Sequence, residues 1–188
     1  MRLGYVLTSI FLLLWVTSFV ESGVLQSKAE ATEVFGELVS YDYLGTFLAL
    51  PILFYLIEIV PLSIFIPLAF GLRAPLLFAM MFIENPASMA VRVIWFCIGI
   101  VTLMEFLAIC QLYLLTIPKD VRGTMLGCFA FFGEIGSLIF TYSGGKLHDV
   151  VGPVSPFVVV AISDLAFFLL SVTLGCLGYF AIKKNKLL

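Results

Sequence analysis

The sequence predicts an all-α fold, a polytopic membrane bundle of about six transmembrane helices forming a single unit over residues 1–188. Three observations predict it. Of the 188 residues, 62% are hydrophobic and 12% charged, with a mean hydropathy of +1.18; a soluble domain of this length needs far more polar surface. The apolar residues come in runs long enough to cross a bilayer, at about 20 residues per crossing. Basic residues also gather at alternate connections, as the positive-inside rule expects of a multi-pass chain.

The first apolar run, residues 3–20, follows Met1-Arg2. Its length favours a retained helix, although a basic start, an apolar core and the small residues Ser22-Gly23 also fit a cleaved signal peptide. Glu21 to Asp42 is the longest polar stretch and reads as an external loop with a short helix near Lys28 to Leu38. The second span covers 43–66 and is closed by Pro67-Leu-Ala-Phe-Gly-Leu-Arg73. Pro75 opens a third span, 74–90, which must run through Ala87 to Ala90 or thin the bilayer, because Glu84-Asn-Pro86 interrupts it. Spans four to six are 91–117, 123–143 and 154–182, followed by Lys183-Lys184-Asn185-Lys186.

With six crossings and both termini cytoplasmic, the inner ends carry Arg2, Arg73, Lys119, Arg122, Lys183, Lys184 and Lys186. The outer loops then carry Lys28 and Lys146, with Arg92 near the outer boundary. Five crossings divide the basic residues evenly, so six fits better.

Several function classes fall away. No polybasic groove exists, which argues against a nucleic-acid partner and leaves the lipid bilayer as the surrounding phase. Cys97, Cys110, Cys128 and Cys176 lie inside apolar runs at irregular spacing, and His148 is the single histidine. That composition implies no metal site, disulfide framework or cofactor. Tyr41-Asp42 superficially resembles the start of an aspartyl-protease site, but no Gly-x-Gly-Asp follows and no catalytic constellation converges, so no enzyme is expected.

Glu58, Glu105, Glu134 and Asp164 each fall near the middle of a predicted span. An ionised group there costs about 2.5–3.5 kcal/mol even on insertion scales, so each must be neutral, paired or facing water. No basic residue inside a span offers a partner, Arg92 being at the boundary. The acids therefore read either as cavity and proton-coupling groups or as bonds between helices. Gly127, Gly133 and Gly136 read as a close helix-packing face, and Trp15, Trp95, Tyr142 and Tyr179 as interface anchors.

In Leu115-Thr-Ile-Pro118-Lys-Asp-Val-Arg122-Gly123-Thr-Met-Leu-Gly127, Pro118 ends one helix, Arg122 anchors the next at the headgroups, and Gly123 and Gly127 make a GxxxG face. This turn resembles that between the tenth and eleventh helices of major facilitator superfamily transporters. Gly144-Gly145-Lys-Leu-His-Asp149-Val-Val-Gly152-Pro resembles the turn before that family's last helix, and Ala69-Phe-Gly71-Leu-Arg73 a worn form of its eighth-to-ninth loop. The resemblance implies the C-terminal six-helix half of such a transporter. It further implies a small-molecule substrate moved by alternating access between two halves, and a second six-helix half in the same or a separate chain. A fragment of a longer protein is then the leading explanation of the length. By the family's geometry Glu105 and Glu134 rank first as cavity residues, Glu58 next and Asp164 last. The alternative is a transport-inactive subunit or scaffold, which the worn loop and shortened third span favour.

Overall fold

The computed structural model describes residues 6–179, and these form an all-α bundle. A π-helical turn, Leu7–Phe11, leads into α1 (Leu12–Glu21), followed by α2 (Lys28–Ile59), α3 (Leu62–Ala79), α4 (Met89–Thr116), α5 (Arg122–Val151) and α6 (Ser155–Cys176). Short 3-10 turns at Met80–Phe82 and Lys119–Val121 extend α3 and lead into α5. Five segments are long and apolar enough to cross a bilayer: Lys28–Ile59, Leu62–Phe82, Met89–Thr116, Lys119–Val151 and Ser155–Cys176. The described part of the first segment, Leu7–Glu21, is shorter. The chain is an integral, multi-pass membrane protein. Helices dominate because lipid offers no hydrogen bonds, so each crossing backbone must satisfy its own.

Two apolar clusters hold the bundle. Phe11, Trp15, Leu38, Leu77, Trp95 and Phe157 centre the first, joining α1 and the early halves of α2, α4 and α6 to the end of α3. Leu53, Phe65, Ala69, Met104 and Ala108 centre the second, where the later halves of α2 and α4 meet the start of α3. Thus α2 and α4 run parallel and pack directly on each other, while α3 runs antiparallel to both and packs between α4 and α6. Most of the side chains of α5 are exposed, with Phe140 and Gly144 the buried exceptions.

The polar stretch before Asp42 is helical instead of a long loop. Ser27 caps α2 by accepting from the Glu30 amide at 3.2 Å, while the Glu30 carboxylate accepts from the Gln26 amide at 2.6 Å. This is close to a capping box. Ala31, Val34 and Leu38 then bury one stripe at helical spacing, leaving Glu33 and Thr32 outside. At 1.5 Å per residue α2 is about 48 Å long, well beyond the ~30 Å hydrocarbon layer, so its charged first turns project past the apolar part.

The break between the second and third spans also moves. Val60 and Pro61 are extended, and α3 continues without interruption through Pro67, Gly71, Arg73 and Pro75. A loop at 67–73 would have exposed unpaired backbone among apolar surroundings, whereas prolines inside membrane helices are tolerated when neighbouring groups compensate. Likewise α5 runs through Gly144-Gly145, and the turn falls at Gly152, whose φ of 130° suits glycine. Residues 180–182 of the predicted sixth span, together with the start of the first and the Lys183–Lys186 tail, lie outside the described residues.

The glycines that bring helices together differ from those expected. A Cβ at Gly127 or Gly136 would meet nothing within 4 Å, so neither forms a packing face here, and Gly133 is half-buried. The close approach is between α2 and α4. A Cβ at Gly45 would lie 2.1 Å from the Phe96 carbonyl oxygen, and one at Gly99 would lie 2.0 Å from that of Asp42. Thr46 Oγ1 donates to the Gly99 carbonyl at 3.1 Å across the same contact. Trp15 and Trp95 are fully buried beside Phe157 and are core residues, not interface anchors. Gly99→Ala is expected to lose about 1–3 kcal/mol from overpacking. Gly127→Ala, with open space and better helix propensity, should be neutral or gain up to about 1 kcal/mol. Unfolding of both variants in one detergent checks the contrast.

Candidate functional site

Between the two apolar clusters lies a buried charge cluster built from three helices. Arg73 on α3 is 4% exposed, Glu105 on α4 1% and Asp164 on α6 2%. Arg73 grips Asp164 with a two-pronged fork: Nε donates to Oδ2 at 2.7 Å and Nη2 to Oδ1 at 2.6 Å. Its remaining Nη1 forms an ion pair with Glu105 Oε2. Planar guanidinium geometry suits this arrangement, since one edge satisfies a carboxylate bidentately and the other nitrogen stays available. Glu105 Oε1 has no hydrogen-bond partner among the described residues.

Each member comes from near the middle of its helix, so the cluster sits deep in the bundle. Among the described residues, two carboxylates face one guanidinium in apolar surroundings, and their formal charges do not cancel. Such a group can order three helices, or hold a proton or other cation that completes the balance.

The sequence-derived candidates divide sharply. Glu105 is in this cluster. Glu134 is exposed on α5, and Glu58 is exposed in the last turn of α2, at a helix end and not at mid-span. Asp164, ranked last, is the bidentate partner. Arg73, assigned to an inner loop, supplies the internal cation that no span had offered. Its relocation follows from the continuous α3, which carries Arg73 to the depth of the two acids.

The turn residues have a local role. Pro118 starts the short 3-10 turn, and Arg122 opens α5. Arg122 donates from Nε to the Ile117 carbonyl at 3.0 Å and from Nη2 to the Leu114 carbonyl at 2.6 Å, while the Tyr113 hydroxyl donates to the Arg122 carbonyl. These bonds satisfy carbonyls left open at the end of α4, so Arg122 is a helix cap besides any headgroup contact. A Cβ at Gly123 would meet nothing within 4 Å.

A separate cleft of about 540 Å³ lies between the π turn, α2 and α4. Asp42, Thr46 and Thr102 line it together with Ser9, Phe35 and Phe106. Asp42 had been read as the last residue of an external loop; the helical α2 places it inside this cleft. Ser27-x-x-Glu30 was the signal in the sequence that could have extended the helix to it.

Arg73→Met is expected to destabilise the bundle by about 3–5 kcal/mol, because it leaves two carboxylates buried without their cation. The triple variant Arg73→Met/Glu105→Leu/Asp164→Leu should lose less than the single one. Denaturation in micelles distinguishes them, and a triple variant at least as unstable as Arg73→Met would contradict the desolvation argument.

Comparison with known proteins places this geometry in context. The magnetosome protein MamH of Paramagnetospirillum magneticum is 29% identical to the chain over 170 residues, covering 87% of the chain and 38% of that protein. The chain thus spans well under half the length of this relative. No protein-family model matches the chain, and no solved structure matches it. The resemblance to the major facilitator superfamily is accordingly not upheld. Of the three motifs that carried it, Ala69–Arg73 lies inside a continuous helix, and in the Gly144–Pro153 motif the glycine pair is helical and the chain turns only at Gly152.

Proposed function

We propose that this chain is the membrane-embedded part of a solute transport system in which the Arg73–Glu105–Asp164 cluster couples helix arrangement to a bound proton. The observation that carries this reading is the unequal charge of the cluster among the described residues: two acids and one base, all but excluded from solvent. A purely structural ion pair needs one acid. A third ionisable group at this depth is costly unless it has work to do, and the unpartnered Glu105 Oε1 leaves room for a proton whose gain and loss changes the cluster's attraction for α3. Because α3, α4 and α6 each contribute one member, such a change acts on the packing of three helices at once.

The reading takes both termini to be cytoplasmic, with Lys119 and Arg122 on the same inner side, as the positive-inside rule favours. It also takes further transmembrane helices, from the same or another chain, to complete the transport path. The length of MamH relative to this chain supports that, as does the exposed apolar surface of α5, including Leu126, Phe129, Phe132 and Leu138. Alternating access to a small molecule and the absence of catalytic chemistry belong to the same proposal.

One observation favours the second reading, a transport-inactive subunit or scaffold. The cluster is closed, and the neighbouring groove between α3 and α6, at Leu68, Gly71, Leu72 and Phe168, is apolar. In that reading the charges only fix the helices.

The test is uptake of a panel of radiolabelled small solutes into proteoliposomes holding the full chain under an imposed pH gradient. Gradient-dependent accumulation of at least one solute is expected, with the gradient dependence lost in Glu105→Gln while the protein still folds. No gradient-dependent uptake, together with Glu105→Gln protein that melts below the parent, would establish the scaffold reading instead.

A further inference from the structure

We propose that the cleft between the π turn, α2 and α4 is a binding site for a small organic cation of the ammonium class. As the solute of the system above, such a cation rests on the transport reading; as a ligand, it rests on the cleft alone.

The argument starts from Asp42. Its carboxylate is half-buried and lies against α4, where a Cβ on Gly99 would come 3.0 Å from Oδ1. Among the described residues it makes no hydrogen bond or ion pair. The acids inside the bundle core have Arg73, and Glu37 on the same helix has Arg92 at 2.8 Å. Asp42 has been given no such cation, although removing a carboxylate from water without a counter-charge is unfavourable.

Its surroundings suit a cation supplied from outside. At about 540 Å³ the cleft is too large for a bare metal ion and within the size range of small-molecule sites. Phe35, Tyr43 and Phe106 present aromatic surface, whose negative faces attract ammonium groups. The hydroxyls of Ser9, Thr46 and Thr102 supply oxygens for N–H donors or for a polar tail. The backbone on one wall is a π turn, a rare form that recurs at functional sites. Gly99 on α4 has no side chain, which allows Asp42 to lie at the α2–α4 contact. One carboxylate with aromatic neighbours selects a single positive charge with apolar substituents over a divalent metal, which would draw more carboxylates.

Choline is the probe, with its neutral carbon isostere as control, titrated by calorimetry against the full chain in nanodiscs. Saturable choline binding is expected, with none from the isostere. Asp42→Asn should weaken it by at least about tenfold, through loss of a charge-assisted contact. Phe106→Leu should weaken it about two- to fivefold, as one cation–π contact predicts. If Asp42→Asn does not fold, Phe106→Leu and Thr102→Val decide, since both keep the charge. Absence of saturable choline binding, equal binding of the isostere, or undiminished binding by the variants overturns the site. The uptake assay with Glu105→Gln is scored separately. Choline binding without gradient-driven uptake defeats the transport reading and leaves the site standing; uptake without choline binding does the reverse.

Discussion

The fork between Arg73 and Asp164, with Glu105 on the third guanidinium nitrogen, is the constraint around which the bundle is arranged. An arginine in the middle of a membrane helix must meet compensating charge, and helix geometry allows few solutions. Here α3 presents the cation to α4 on one side and to α6 on the other. The fork also dictates rotation about the helix axes, because bidentate pairing tolerates little misalignment.

Around that centre, helix packing divides into two modes. The α2–α4 contact is a backbone approach, made possible by Gly45 and Gly99 and joined by the Thr46 hydroxyl bond. Small residues serve this purpose in lipid, where no hydrophobic force drives helices together and dispersion must supply the attraction. The first cluster instead relies on bulk, with Trp15, Trp95 and Phe157 meeting edge to face. Membership of α1 in that cluster ties the first segment into the bundle. Among the described residues α5 lacks either mode over most of its length, leaving a broad apolar face for lipid or further helices.

The two polar features differ in character. The buried cluster carries its own counter-ion, whereas the carboxylate in the Asp42 cleft has none among the described residues. They share α4, which supplies Glu105 to one and Thr102 to the other. Thr102 and Glu105 are three residues apart and neighbours on the surface of a single helix, so α4 is the element through which occupation of the cleft and the charge state of the cluster could influence each other.

By itself the sequence determined the class of the protein: runs of apolar residues with this charge distribution can only be a membrane helix bundle, and Glu105 stood out because an acid at mid-span needs a reason. The break at Pro118 was legible from a helix breaker with polar neighbours, whereas the third span was expected to run through Asn85-Pro86 to residue 90 and instead ends at Phe82. What only the tertiary structure decided was which prolines and glycines interrupt a helix. Pro61 breaks one whereas Pro67 and Pro75 do not, and Gly152 turns the chain whereas Gly144 and Gly145 do not. Local propensity is nearly the same at these sites, and the outcome depends on whether neighbouring helices cover the backbone. That single difference moved Arg73 from a loop into the core. The pairing of Arg73 with residues 32 and 91 positions away, and the approach of Asp42 to Gly99, are contacts between helices, and helical periodicity carries no information about which faces will meet.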